Sequence, residues 1–186
     1  MNKTQTISKT WMLSALVTLC VLVLTVSRVA ANPAQSAQTT AQPAAETYMW
    51  YGELTAFDES ARKMTVKTRV VGDQALSGLK GFKSGDRIAM TWSGIDKYAD
   101  GILSVARHDA GKKYDERFTF PVEFVSFDAT TQYVTFKTDA PADGVATLKS
   151  LKPGEWIAAT SRHKPARENE AIVSVVPYVD SWKKTS

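Results

Sequence analysis

The feature that most constrains the fold of this chain is an internal repeat. Four segments return later in the chain in the same order, 70 residues on, or 69 residues on for the third pair. The matched pairs are Glu53–Asp58 with Glu123–Asp128, Thr65–Thr68 with Thr135–Thr138, Leu79–Ala89 with Leu148–Ala158, and Ile102–Val105 with Ile172–Val175. A repeat of this length indicates two copies of one structural unit. It predicts an architecture, whereas the residues that the copies share carry no catalytic motif.

Each copy has the pattern of short strands separated by turns. In Lys63–Arg69, Met64 and Val66 alternate with polar residues, and Val134 and Phe136 do so in the second copy. Alternation with a period of two is typical of a strand with one buried face. We found no convincing amphipathic helix, and the stretch between Val70 and Gly81 is predicted to be mostly loop. The sequence therefore predicts an all-β protein of two tandem, homologous, small OB-like β-barrels.

The N-terminal residues have the pattern of an export signal. Lys3 and Lys9 precede an apolar run, Trp11–Val26, and the small residues of Val29–Ala31 then fit a cleavage site before Asn32. A retained single-helix membrane anchor is the alternative. Either interpretation predicts that the rest of the chain is periplasmic or secreted, or is anchored to a membrane with its domains outside the cytoplasm.

These patterns predict a linear domain organisation. The predicted parts are a signal peptide or membrane anchor (1–31), a flexible linker (32–47), the first barrel (48–108), a linker (109–117), the second barrel (118–180) and a tail (181–186).

Composition excludes several classes of function once the leader is set aside. The chain has 23 basic and 19 acidic residues, but Lys3, Lys9 and Arg28 belong to the leader, which leaves 20 basic residues against 19 acidic ones. A nucleic-acid-binding protein typically has a strong basic excess or stripe, so no nucleic-acid partner is predicted. Cys20 is the only cysteine, which excludes disulfides and thiolate chemistry from the mature part. The sequence does not specify the oligomeric state.

The repeated pattern resembles that of a known group of domains. Strands ending in Phe-Asp (Phe57–Asp58 and Phe127–Asp128) and a Leu-Lys-x-x-Lys-x-Gly-Asp/Glu turn (from Leu79 and from Leu148) are its main components. They are similar to small OB-like barrel domains of bacterial envelope proteins, many of unknown function, and more distantly to the periplasmic copper/silver chaperone barrel.

The chaperone resemblance implies a soft metal site. Such a site would combine thioether, imidazole and indole groups, because Cu(I) prefers sulfur ligands. The candidate residues are Met64, Met90, Trp92 and His108. The alternative is that the methionines and the tryptophan fill a core. We expect no cofactor.

Two other groups are candidates for ligand binding. The first is aromatic, with Tyr48, Trp50, Tyr51 and Trp92, and could stack on a sugar or a peptide. The second is the basic segment with Arg162, His163, Lys164 and Arg167, which could hold an anion. The alternatives are core packing for the first group and a solvated loop for the second.

No catalytic residues are predicted. Asp58 and Asp128 recur in both copies, but each stands where a strand enters a turn, and aspartate favours turns through hydrogen bonds to nearby backbone. The sequence therefore predicts an exported, non-enzymatic binding or assembly module whose partner is an envelope protein or a glycan. The alternatives are a periplasmic copper/silver-binding protein and a glycan-binding module that uses the Trp50 region.

Overall fold

The computed structural model describes residues 46–109, 116–165 and 167–179. The eight strands are β1 (Thr47–Asp58), β2 (Lys63–Arg69), β3 (Arg87–Ile95), β4 (Tyr98–Arg107), β5 (Thr119–Asp128), β6 (Tyr133–Asp139), β7 (Trp156–Arg162) and β8 (Ile172–Pro177). The two short α-helices are α1 (Asp73–Gly78) and α2 (Val145–Ser150), and short 3-10 helices cover Leu79–Gly81, Ala142–Gly144 and Glu168–Glu170. The predicted signal or anchor segment and the C-terminal tail lie outside the described residues. Within the described ranges, no helix is long and apolar enough to cross a membrane.

Six of the strands close into a barrel. Following the hydrogen-bonded neighbours gives the order β1, β2, β6, β5, β3 and β4. A short parallel contact between Met49 of β1 and Tyr98 of β4 completes the circle. Strand β7 pairs with the first half of β1 and β8 pairs with β7, so these two strands extend from the barrel wall. The predicted all-β class is therefore confirmed, with one closed six-stranded barrel.

The prediction of two tandem barrels differs from this architecture, since the described residues form one barrel with strands from both repeats. The third strand of each repeat pairs with the first strand of the other: β3 pairs with β5, and β7 pairs with β1. The two second strands, β2 and β6, also pair along their whole length. This exchange has a physical reason, because a barrel of about 60 residues buries too little surface to be more than marginally stable alone.

The exchange of strands gives the two repeats one common core. Trp50 and Trp92 stack with ring centroids 4.7 Å apart, and Phe120 and Phe136 of the second repeat lie within 6.4 Å of the Trp92 ring. All four side chains are buried. Ile88 and Ile157, at equivalent positions of the two repeats, are fully buried, as the alignment of the copies predicts.

Helix α1 stands where the sequence predicts mostly loop. It has only six residues, so its apolar pattern is too short to be recognised as helical. Its stability comes from packing and tertiary hydrogen bonds instead, since Ala75 is buried and the Gln74 side chain bonds both backbone groups of Val105 in β4. Tertiary contacts of this kind are not visible in local sequence.

Candidate binding face on the outer surface of the barrel

The predicted aromatic group on β1 is divided between the two faces of the strand. Successive side chains of a strand point to opposite sides. Tyr48 and Trp50 are buried inside the barrel, whereas Tyr51 lies on the outer face and is partly exposed. The Trp50 indole Nε1 donates to Ser161 Oγ at 2.8 Å within the core. Of the three β1 aromatics, only Tyr51 is therefore accessible to a ligand on the outside of the barrel.

The candidate metal ligands are mainly core residues. Met64, Met90 and Trp92 are buried in the apolar cluster, and His108 follows the end of β4 outside that cluster. Packing accounts for the three buried side chains. Among the residues that the structure describes, no three or more His, Cys, Asp or Glu side chains are grouped so as to hold a metal ion.

The predicted basic segment does not present its side chains as one cluster. His163 is buried and Arg162 is partly buried, while Lys164 and Arg167 are exposed. Arg167 Nε lies 3.9 Å from Glu170 Oε1, its neighbour one turn on. The four side chains therefore differ in burial and partners, and His163 belongs to a separate site at one end of the barrel.

That site, the barrel mouth, consists of Glu46, Arg117 and His163. The His163 ring packs edge-on against Phe118, with centroids 4.4 Å apart, and Arg117 Nη2 lies 3.3 Å from its Nε2 atom. Glu46 Oε2 lies 3.6 Å from the same Arg117 nitrogen. A groove of about 960 Å³ opens here beside the turn between β3 and β4. Arg117 and His163 are 46 positions apart in the chain, so no local sequence pattern connects them.

Burial and the nearby Arg117 guanidinium lower the pKa of His163 below its ordinary value. Since the folded state disfavours the imidazolium, the unfolded chain binds the proton more readily below a pH of about 6.5. We therefore expect the free energy of unfolding to fall as the pH decreases from about 6.5 to 5. Chemical denaturation over this range should show a smaller decrease for His163→Gln than for the unaltered chain. Equal slopes for His163→Gln and the unaltered chain would contradict the prediction.

Asp58 and Asp128 have the structural role that the sequence predicts. The Asp58 carboxylate accepts from Ala61 N at 3.0 Å and from Ser60 Oγ at 2.7 Å. Asp128 accepts from Thr131 Oγ1 at 2.7 Å and from Thr130 N at 2.8 Å. These hydrogen bonds lower the pKa of both exposed carboxyl groups and hold the tight turns that follow β1 and β5.

Four aromatic side chains lie together on the outer surface of the sheet. This surface, the aromatic face, consists of Tyr51, Tyr133, Trp156 and Tyr178. Trp156 is 38% exposed and Tyr178 is 43% exposed, which is unusual for side chains of this size. Depressions of about 300 Å³ and 230 Å³ adjoin the face, and Tyr133 and Trp156 line both of them.

The strand register explains how these residues meet. Glu53 of β1 lies opposite Trp156 of β7 on one side and opposite Lys67 of β2 on the other. Lys67 Nζ is 3.0 Å from Glu53 Oε2 and 5.2 Å from the centre of the Tyr133 ring on β6. Across four neighbouring strands, a polar pair therefore lies between two aromatic residues.

Tyr178 joins the face from the end of β8. Its backbone N–H donates to Trp156 O at 2.8 Å, and its ring meets the Tyr51 ring edge-on with centroids 4.9 Å apart. The contact fixes the two tyrosines beside Trp156.

The aromatic face occurs on only one side of an otherwise repeated framework. The Glu53–Lys67 ion pair has its counterpart in Glu123–Lys137, also at 3.0 Å. None of the four has a phenylalanine, tyrosine or tryptophan as its counterpart: Pro121 corresponds to Tyr51, Lys63 to Tyr133, Arg87 to Trp156 and His108 to Tyr178. Because the same framework forms without tyrosine or tryptophan at these positions, the fold does not require them.

Of the four residues of the aromatic face, only Tyr51 is among the candidates predicted from sequence. Tyr133, Trp156 and Tyr178 are far apart in the chain, and they come together only because β6, β2, β1 and β7 are neighbours. One usable signal is present in the sequence: each is a tyrosine or tryptophan whose aligned partner in the other repeat is neither.

Comparison with known proteins adds no relationship from which a function could be transferred. No family model, curated protein or solved structure matches this chain.

Proposed function

We propose that this chain is an exported, non-enzymatic binding module that recognises a component of the cell envelope through its aromatic face. The N-terminal leader pattern supports export. The internal repeat indicates that the module is built from a duplicated unit. The observation that carries the proposal is that the aromatic face has no equivalent at the corresponding positions of the other repeat. Exposed tryptophan and tyrosine side chains are typical of binding sites, and here the equivalent surface of the other repeat lacks them.

The barrel gives such a face a rigid support. Tyr51, Trp156 and Tyr133 project from strands that are paired on both sides, and their spacing is therefore set by the sheet. A binding surface on paired strands loses less conformational freedom on binding than one on a loop. This arrangement favours recognition of an extended partner over enclosure of a small molecule.

Retention of the purified protein on an isolated envelope fraction tests this function. We expect the double variant Trp156→Ala/Tyr178→Ala to bind at least about tenfold more weakly than the unaltered chain, since buried aromatic contacts in interfaces are often worth more than 1.4 kcal/mol. Ile95→Ala is the control, because Ile95 is 82% exposed at the end of β3 and lines neither depression of the face.

Melting temperatures of the three proteins separate a loss of binding from a loss of folding. Equal retention of the double variant and the unaltered chain would contradict the proposed function, as would conversion of an envelope component to a product by the purified protein.

A further inference from the structure

We infer that the ligand of the aromatic face is a neutral oligosaccharide chain, whose sugar rings stack on Trp156 and on the Tyr51–Tyr178 pair. This inference rests on the proposed binding function and specifies its ligand. Three properties of the face support it: the strand pairing of the backbone beneath it, its lack of a cationic excess and its shape.

The backbone beneath the centre of the face cannot pair with an added peptide strand. Strand β1 is bonded to β7 and β2, and β2 is bonded to β1 and β6. Addition of a peptide strand requires free N–H and C=O groups at a sheet edge. In the described sheet the terminal strand is β8, so an added strand would pair there, at the margin of the face beside Tyr178. A ligand over Glu53, Lys67 and Trp156 must therefore be recognised through side chains.

The charged side chains on the face show no cationic excess. Glu53 and Lys67 form an ion pair at 3.0 Å, and Arg69 Nε donates to the Asp100 backbone oxygen at 3.3 Å. The two depressions are lined by the carboxylates Glu53, Asp100 and Asp128 and by the cations Lys67 and Arg69. A polyanion would require a cationic excess that this surface lacks. The charge balance fits an uncharged ligand that carries many hydroxyl groups.

The distribution of polar groups also distinguishes a sugar from a protein partner. The centres of protein interfaces are depleted in lysine and glutamate, but here Lys67 and Glu53 lie between the rings of Tyr133 and Trp156. A sugar ring has apolar C–H groups on its faces and hydroxyl groups around its edge. An aromatic ring beside a carboxylate and an ammonium group can therefore contact both parts of the same sugar.

The shape of the face suits a chain of several rings. The residues extend from β7 across β1 and β2 to β6, which is three strand spacings, or about 14 Å. Within this span lie two shallow depressions, both bordered by Trp156 and Tyr133. Successive sugars of one chain could occupy them, whereas a single monosaccharide would contact only part of the face.

Calorimetric titration with defined neutral hexasaccharides tests the inference. The probes are chitohexaose, cellohexaose and maltohexaose, which differ in linkage and substituents but carry no charge. We expect at least one of them to bind the unaltered protein, and we expect Trp156→Ala and Tyr178→Ala each to weaken that binding at least about tenfold. Ile95→Ala, the control outside the face, should bind as tightly as the unaltered chain. Failure of all three probes to bind, or unchanged binding by both face variants, would overturn the assignment of a neutral glycan.

A second measurement separates failure of this inference from failure of the proposed function. Chitinase, cellulase and amylase hydrolyse neutral glycans of the three probe types, and protease removes proteins, so each treatment of the envelope fraction removes one class of partner. We expect one of the glycan hydrolases to abolish retention of the protein and protease to leave it intact. If protease abolished retention and the glycan hydrolases did not, the partner would be a protein: the glycan inference would be wrong and the binding function would stand. If Trp156→Ala/Tyr178→Ala were retained as well as the unaltered chain, the proposed function itself would be wrong.

Discussion

Replacing Trp50 with alanine should lower the free energy of unfolding by about 3–5 kcal/mol, as expected for the loss of a buried tryptophan. Its side chain is fully buried, stacks on Trp92 and lies 6.1 Å from the Phe136 ring. The change also leaves the buried Ser161 hydroxyl without the indole N–H that donates to it. Domains of this size have a total stability of about 5–15 kcal/mol, so the loss is a large part of the whole. Equilibrium denaturation in urea measures it.

Two further variants separate the contributions of packing and hydrogen bonding at this position. Trp50→Phe keeps an aromatic ring in the core but removes the donor to Ser161, and we expect a smaller loss of about 1–3 kcal/mol. Trp156→Ala removes a tryptophan that is 38% exposed, and it should change stability much less than Trp50→Ala. Similar losses from Trp50→Ala and Trp156→Ala would show that Trp50 is not at the centre of the core.

Replacing Gly72 with alanine should cost about 3 kcal/mol, the upper end of the range for overpacking. A Cβ atom at this position would overlap the Leu103 carbonyl oxygen and lie 2.6 Å from its carbonyl carbon. Because both atoms belong to the backbone of β4, a rotation of a side chain cannot relieve the clash. The Gly72 and Val71 N–H groups both donate to Ile102 O, so any displacement of this segment also weakens its attachment to β4.

Gly81→Ala is the matched control for Gly72→Ala. A Cβ atom at Gly81 would meet no other atom within 4 Å, so this variant should be as stable as the unaltered chain or more stable by about 0.4–1 kcal/mol. The φ angle of Gly72 is −102°, which any residue can adopt, so the expected effect comes from space and not from backbone conformation. Equal stability of the two variants would mean that the approach of Gly72 to β4 is looser than the structure shows.

The strand pattern of this chain was readable from sequence because alternation is a local property. In β2 and β6, Met64, Val66, Val134 and Phe136 are all buried, as their spacing predicts. Helix α1 was missed because its six residues are held by contacts with β4, such as the two hydrogen bonds of Gln74, and not by a local pattern.

The candidate site was less predictable than the strands. Trp50 and Tyr51 are adjacent in sequence, yet Trp50 is in the core and Tyr51 is on the surface. Aromatic residues that are neighbours in a strand therefore do not predict a common exposed surface. The aromatic face depends on the pairing of β1 with β7, whose residues are more than 100 positions apart. No local pattern specifies which distant strand will be the neighbour of another.

The sequence by itself determined the all-β class and the positions of most strands and turns, because each depends on spacing along the chain. Only the tertiary structure decided that the repeats form one barrel together, since strand pairing between β3 and β5 and between β7 and β1 is a choice among distant partners. The same choice brought Tyr51, Tyr133, Trp156 and Tyr178 onto one surface. The physical reason is that alternation decides which side of a strand is buried, whereas closure of the sheet around one sufficiently large core decides which strands lie side by side.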